Sequence, residues 1–283
     1  MSNPAISIVM VDGSFRESFH SIRFFCSQTL PADQYELLWV EYYDRVNPAL
    51  RAEIERFPQA RLITVGQSGS YQPSQCFNAG IVAARGEVLV IPDADLVAER
   101  DLLEQVWREH EASARLVMYL YRYEEAQADH IAEITLEHLR AVCRLRYPMN
   151  CGACLTVRKR WLLEINGYDH HPAFREHSHA HGNDVHARLK VLGLPIAWHP
   201  RIRLYHPWHP FTLTPARIAY ARQVAVSNWR ERALNPLAFM GIEPARNTPF
   251  PDELVAELDR LRAGNEATAG PSMGAPPRRP GIR

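Results

Sequence analysis

Nowhere in the 283 residues is there a run of 18 apolar side chains, the length a helix needs to cross a bilayer. The sequence therefore predicts no transmembrane segment. Met1-Ser2-Asn3-Pro4 lacks the basic residues and apolar stretch of a secretory leader, so the expectation is a cytoplasmic chain without a signal peptide. Cysteine is sparse. The five residues Cys26, Cys76, Cys143, Cys151 and Cys154 are an odd number, which fits reduced thiols better than a disulfide framework. Cys151-Gly-Ala-Cys154 has the spacing of half a zinc site, but no second Cys-x-x-Cys follows. Two small apolar residues approaching a strand are the expected reading. Excess charge is missing as well. Thirty-two basic and 32 acidic residues cancel, so no nucleic-acid partner bound through phosphate neutralisation is expected.

What the chain does have is apolar material, 46% of its residues, enough for a sizeable core. Ala5–Val11 reads as a buried strand, followed by helical spacing over 15–29. Glu36–Glu41, Arg61–Val65 and 87–91 read as further strands, with helices at 47–57, 74–84 and 99–112 between and after them. This alternation predicts an α/β fold with a mixed, mostly parallel central sheet and helices on both faces. Beyond it, 115–123 and 152–157 read as strands, 125–140 and 158–166 as helices, and 184–192 as a helix ended by Gly193. Ile202–His206 is another strand. Thr214-Pro215 opens a helix to about 232, and 251–262 is a last amphipathic one. The Gly-, Pro- and Arg-rich stretch 264–283 is expected to be disordered.

The sharpest feature is Gly86-Glu-Val-Leu-Val-Ile-Pro-Asp93-Ala-Asp95. A short apolar strand ends in two carboxylates spaced i, i+2, at the end of a strand where open α/β sheets bind ligands. Two acids so close raise each other's pKa unless a cation or a hydrogen-bonding partner serves each. Oxygen ligands with room for phosphates suit Mg²⁺ or Mn²⁺. The plainer alternative makes Asp93 the cap of the following helix and leaves Asp95 solvated.

Around this pair stand, in order, Phe77-Asn78-Ala79-Gly80, Ala84-Arg85-Gly86, a segment from Gly152 to Trp161, Ile165-Asn-Gly-Tyr-Asp169, Gly182-Asn-Asp184, and Leu204-Tyr-His206-Pro. The order resembles family 2 of the nucleotide-sugar-dependent glycosyltransferases, which have the GT-A fold. The resemblance covers about 5–210. It implies a GT-A domain over 1–245, with a nucleotide-binding half near 1–113 and an acceptor half near 114–245; the amphipathic pattern adds a C-terminal helix within 246–263. It implies inverting sugar transfer from a nucleotide-diphosphate sugar to a hydroxyl acceptor, with Mn²⁺ or Mg²⁺. Asp95 would hold the metal, and His206 would complete its coordination. Asp93 would meet the donor ribose or a water, with Asp12, Glu41 and Asn78 as further donor contacts. Asp184 would be the base that takes the acceptor proton.

Departures from the family pattern keep other readings open. Asp12-Gly-Ser and Glu41-Tyr-Tyr-Asp stand at the first two strand ends, Phe77 replaces an Arg, and Asn183 replaces a Glu. A catalytically impaired nucleotide-sugar-binding protein on the same fold is one alternative. A nucleotidyltransferase is the other, although Asp12-Gly-Ser-Phe-Arg16 has little Gly or basic charge. His177-Ser-His179-Ala-His181 alternates and could bind Zn²⁺ in an extended chain. Trp198 and Trp208 could stack on a sugar, with core packing the better reading for Trp198.

Overall fold

The computed structural model describes residues 3–126, 133–172, 180–209 and 235–250, together with Ala256 and Arg260. A nine-stranded sheet runs in the order β3-β2-β1-β4-β8-β6-β9-β5, with β7 paired to β6. Its first half is parallel and built as the apolar runs predicted: β1 (Ile6–Asp12), β2 (Tyr35–Glu41), β3 (Ala60–Thr64) and β4 (Val88–Pro92). Helices α1 (His20–Phe25), α2 (Pro48–Glu55) and α3 (Pro73–Ala83) connect them. After β4 come β5 (Val97–Ala98), α4 (Leu102–Ala112), β6 (Val117–Glu124), α5 (Leu136–Val142) and β7 (Arg144–Leu145). Then follow β8 (Cys154–Arg158), α6 (Lys159–Glu164), α7 (Ala180–Val191) and β9 (Ile196–His206), and a 3-10 turn at Pro244–Arg246.

Both faces of the sheet are covered. In β1, Ile6, Ile8 and Met10 enter one core with α1, α2 and α4, while Val9 and Val11 enter the other with α3, α6 and α7. That period of two explains why β1 reads as continuously apolar: a strand buried on both sides leaves no polar face. Gly80 lets α3 lie close on β1, because a Cβ there would collide with Val9.

Two registers build the site. β1 and β2 pair in parallel with Asp12 opposite Glu41. β6 and β9 also run parallel, with Glu124 opposite His206. The short β5 pairs antiparallel with β9, Val97 opposite Tyr205, and so carries the Asp95 turn to the end of β9. Neither β5 nor β7 is visible as periodicity, because two residues carry none. The predicted helices over 15–29 and 125–140 are shorter in the structure, α1 and α5. The predicted helix at 214–232 and the segment 264–283 lie outside the described residues. So does most of 251–262, of which Ala256 and Arg260 are helical.

Candidate active site

The carboxyl ends of β1, β4, β6 and β9 converge on one polar cluster. Asp12 ends β1, fully buried. Arg16, four residues on, donates from Nη1 to Asp12 Oδ1 at 2.7 Å and from Nη2 to Asp95 Oδ2 at 3.1 Å. On the other side Arg122 of β6 donates to Asp93 Oδ2 at 2.7 Å and to Glu124 Oε1 at 2.6 Å. Glu124 Oε2 in turn takes the hydrogen bond of His206 Nδ1 at 2.7 Å. Asp93 and Asp95 therefore each have a different arginine, as two neighbouring acids require.

The two acids of the Asp-x-Asp pair titrate apart. Burial pushes Asp93 up to about 6, with Arg122 opposing and the Asp95 charge adding. Burial also opposes ionisation of Asp95, but Arg16, His206 and His209 outweigh it and hold this carboxyl well below the usual range. Asp12 is pushed up to about 6 by burial, against Arg16 and with Glu41. His206 rises to about 9: burial opposes the charge, and Asp95 and Glu124 stabilise it.

Asp95, His206 and His209 form a group whose ligand atoms all lie within 4.8 Å of one another. His206 Nε2 is 3.1 Å from His209 Nε2 and 3.6 Å from Asp95 Oδ1, and His209 Nε2 is 3.5 Å from Asp95 Oδ2. Ligand atoms sharing one small cation at about 2.1 Å stand roughly 3 Å apart, so these spacings fit. Asp95 Oδ1 is buried with no hydrogen-bond partner among the described residues, an orphaned acceptor that a cation would satisfy. With Nδ1–H donating to Glu124, loss of the Nε2 proton to an arriving cation would turn the Nε2 lone pair of His206 toward the group. A carboxylate behind a histidine is the usual support of a metal ligand.

Other predicted site residues have different surroundings. Glu41 accepts from Ser14 Oγ at 2.7 Å and from Trp39 Nε1 at 2.8 Å, beneath the Asp12 turn. Asn78 was expected at the donor, but its amide is engaged elsewhere. It donates to Tyr168 O at 2.8 Å and accepts from Tyr168 N at 2.7 Å. The Asn-x-Gly helix and the Gly-Tyr-Asp turn thus hold each other. The turn needs Gly167, at φ +75° and too close to Asn78 Oδ1 for a Cβ. Asp169 then binds the backbone N–H groups of His171 at 2.9 Å and Phe239 at 2.8 Å, fastening 235–250 to this turn.

Asp184 was expected to open a helix. It lies inside α7, which already includes Ala180, and is 2% exposed. Arg188 grips its Oδ2 from Nε at 2.8 Å and from Nη2 at 2.7 Å, one turn along the helix. The same guanidinium donates to the carbonyls of Ile165 and Gly167. His181 packs on Phe77 and Tyr168, while His177 and His179 lie outside the described residues. Trp198 stacks on Tyr119 with centroids 5.0 Å apart, and Trp208 is 40% exposed. Cys151 and Cys154 are free thiols, and neither joins a candidate cation group among the described residues.

Four participants were missed in the sequence: Arg16, Arg122, Glu124 and His209. His209 had a signal in its spacing, His206-x-x-His209. Arg16 had one in following Asp12 by four. Arg122 and Glu124 had none, since their place depends on the register of β6 beside β9.

Comparison with known proteins bears on the fold and the class. TarS of S. aureus, residues 1–349 in complex with UDP, is 13% identical, with a TM-score of 0.55 over 92% of this chain and 70% of that one. The mannosyltransferase PcManGT of Pyrobaculum calidifontis, in complex with GDP-Man and Mn²⁺, is 14% identical, with a TM-score of 0.55 over 95% of this chain and 77% of that one. At such identities these likenesses show the fold, the GT-A fold that the motif order implied. No curated protein sequence matches the chain. Residues 1–168 match glycosyl transferase family 21, where the motifs resembled family 2; the class is the one expected, and sugar transfer displaces nucleotidyl transfer. With more than half its length in that match, the chain belongs to glycosyl transferase family 21 and is a glycosyltransferase.

Proposed function

We propose that this glycosyltransferase moves a sugar from a nucleotide-diphosphate sugar to a hydroxyl acceptor, with inversion, and works with a divalent cation, Mn²⁺ or Mg²⁺. The observation that carries the reading is the convergence of Asp95, His206 and His209 with Glu124 behind His206. A cation held there would neutralise the charge that builds on the diphosphate as the sugar bond breaks. The chain's own groups prepare that place. Arg16 and the two imidazoles keep Asp95 ionised, and Glu124 sets the tautomer of His206. Asp93, partly exposed and paired to Arg122, is left to accept from a ribose hydroxyl or a water. Asp12 and Glu41 stiffen the end of β1 and β2, where the nucleoside would lie. The similar PcManGT was solved with GDP-Man and Mn²⁺, and TarS with UDP, which supports a donor and cation of these kinds.

Calorimetric titration of UDP- and GDP-type sugars, with and without Mn²⁺, tests the assignment on the wild type and Asp95→Ala. Donor binding that needs Mn²⁺ and is lost in the variant supports it. Binding that ignores Mn²⁺ and survives in the variant sinks it. For the base we keep Asp184, whose Asp184→Asn variant would retain donor affinity and lose turnover. Retained turnover would leave Asp184 as the helix partner of Arg188 and nothing more.

The Asp184–Arg188 pair favours a second reading, a nucleotide-sugar-binding protein with impaired turnover. A carboxylate that deep in the core and hydrogen-bonded by the Arg188 guanidinium is poorly placed to take a proton from an acceptor. Slow donor hydrolysis in the presence of Mn²⁺ separates the two. Measurable release of sugar supports a working transferase site, and none supports the binding protein.

A further inference from the structure

Arg16 stands where two carboxylates of the site meet, and it addresses them unequally. Nη1 holds the fully buried Asp12 at 2.7 Å, and the backbone N of Arg16 lies 3.4 Å from the other oxygen of the same carboxylate. That end is a tether. Nη2 reaches Asp95 Oδ2 at a longer 3.1 Å. The same Oδ2 is the oxygen 3.5 Å from His209 Nε2, so a guanidinium and a candidate cation ligand point at one atom. The third donor, Nε–H, is buried and has no acceptor among the described residues. A buried donor without an acceptor is open to one that a ligand brings. Arg16 is also in the turn after β1, and its side chain keeps 17% exposure, enough for a ligand to reach it.

We propose that Arg16 is an internal counter-cation: it neutralises Asp95 while the cation site is empty, yields that oxygen when a divalent cation arrives, and then donates to the donor's diphosphate. This rests on the reading of Asp95, His206 and His209 as a cation site. A guanidinium and a divalent cation on one carboxylate repel each other, so occupancy of the site and the Arg16–Asp95 contact compete. The tether to Asp12 keeps the released arm in place. Nη2–H and Nε–H, on one edge of a planar fork, then match two phosphate oxygens, an arrangement suited to bidentate phosphate recognition.

The two halves of the proposal have opposite signs, which a bracing role does not share. For metal-free protein, Mn²⁺ uptake read by electron paramagnetic resonance is expected to be about fivefold or more tighter in Arg16→Gln than in the wild type, the low end of typical coupling between sites. At saturating Mn²⁺, UDP and GDP are expected to bind about tenfold or more weakly in the same variant, since even one of the two charge-assisted hydrogen bonds is worth that much. Mn²⁺ binding that is unchanged or weaker in Arg16→Gln, with the wild type binding normally, overturns the exchange and leaves Arg16 as a brace. If the wild type itself takes up no Mn²⁺, the cation site falls and this proposal falls with it. Arg16→Lys reports where Arg16→Gln fails to fold. It keeps the charge on Asp12 and loses the fork, so undiminished UDP and GDP affinity there overturns the diphosphate contact.

Discussion

Glu124 decides which nitrogen of His206 faces Asp95. At 2.7 Å its Oε2 accepts a hydrogen bond from Nδ1–H, and Arg122 fixes the carboxylate from the other side at 2.6 Å. Partners of this kind are commonly worth 10–100-fold in metal affinity, so Glu124→Ala is expected to weaken Mn²⁺ binding by about that factor. Glu124→Gln keeps an acceptor for Nδ1–H and is expected to fall between. Wild-type Mn²⁺ affinity in Glu124→Ala, with unchanged circular dichroism, would remove the relay from the site. At this scale the sequence was half legible. Asp93 and Asp95 stand out because a strand that ends in paired acids has few structural uses. Glu124 does not stand out, because it meets His206 across 82 residues of chain and only a folded sheet sets that register. Asn78 shows structural work at a motif position. A buried amide beside a glycine belongs to a motif whose work here is to lock two backbones together.

At the scale of elements, period-two and unbroken apolar runs identified β1 to β4 because burial on both faces leaves no ambiguity. Helix ends were less legible for a physical reason. Phe15 belongs to the helical spacing that predicted 15–29, yet it packs edge-on against Tyr71 in a turn, and the turn's polarity is set by Asp12 and Arg16. In α7 the carboxylate of Asp184 goes to Arg188 inside the helix, which begins before the predicted start at 184.

Helix α4 offers a test of its own. Its His110 is fully buried, with Nε2 2.9 Å from Thr156 Oγ1 on β8, and burial holds its pKa down to about 4. An imidazole that is neutral when folded takes up a proton more readily when unfolded, where its pKa is about 6.5. The unfolded chain therefore binds more protons between those values, and stability falls as pH drops through them. From pH 7 to 4 this group alone removes about 3 kcal/mol. His110→Gln retains a donor for Thr156 and does not titrate. Its urea-unfolding midpoint is expected to decline less over that range than the wild type's, and parallel declines would assign the acid limb to other groups.

At the scale of the molecule, the site exists only because strands far apart in the chain end at the same end of the sheet. Asp12, Asp95, Glu124, His206 and His209 come from four strand ends, and the family match over 1–168 ends before the two histidines. The unfolded chain scatters these groups over nearly 200 residues, so a cation or nucleotide that needs them together binds the folded state alone. Such a ligand at 100 times its dissociation constant adds about 2.7 kcal/mol of stability. For a chain of this size that raises the thermal midpoint by about 5–10 °C. Mn²⁺ with UDP or GDP is expected to give a shift of that order in the wild type and in His110→Gln, whose substitution lies under α4. Asp95→Ala removes the only carboxylate of the candidate group and is expected to lose the Mn²⁺-dependent part. An equal Mn²⁺-dependent shift in Asp95→Ala would mean that the cation binds the folded chain elsewhere, and the convergence of the strand ends would then need another explanation.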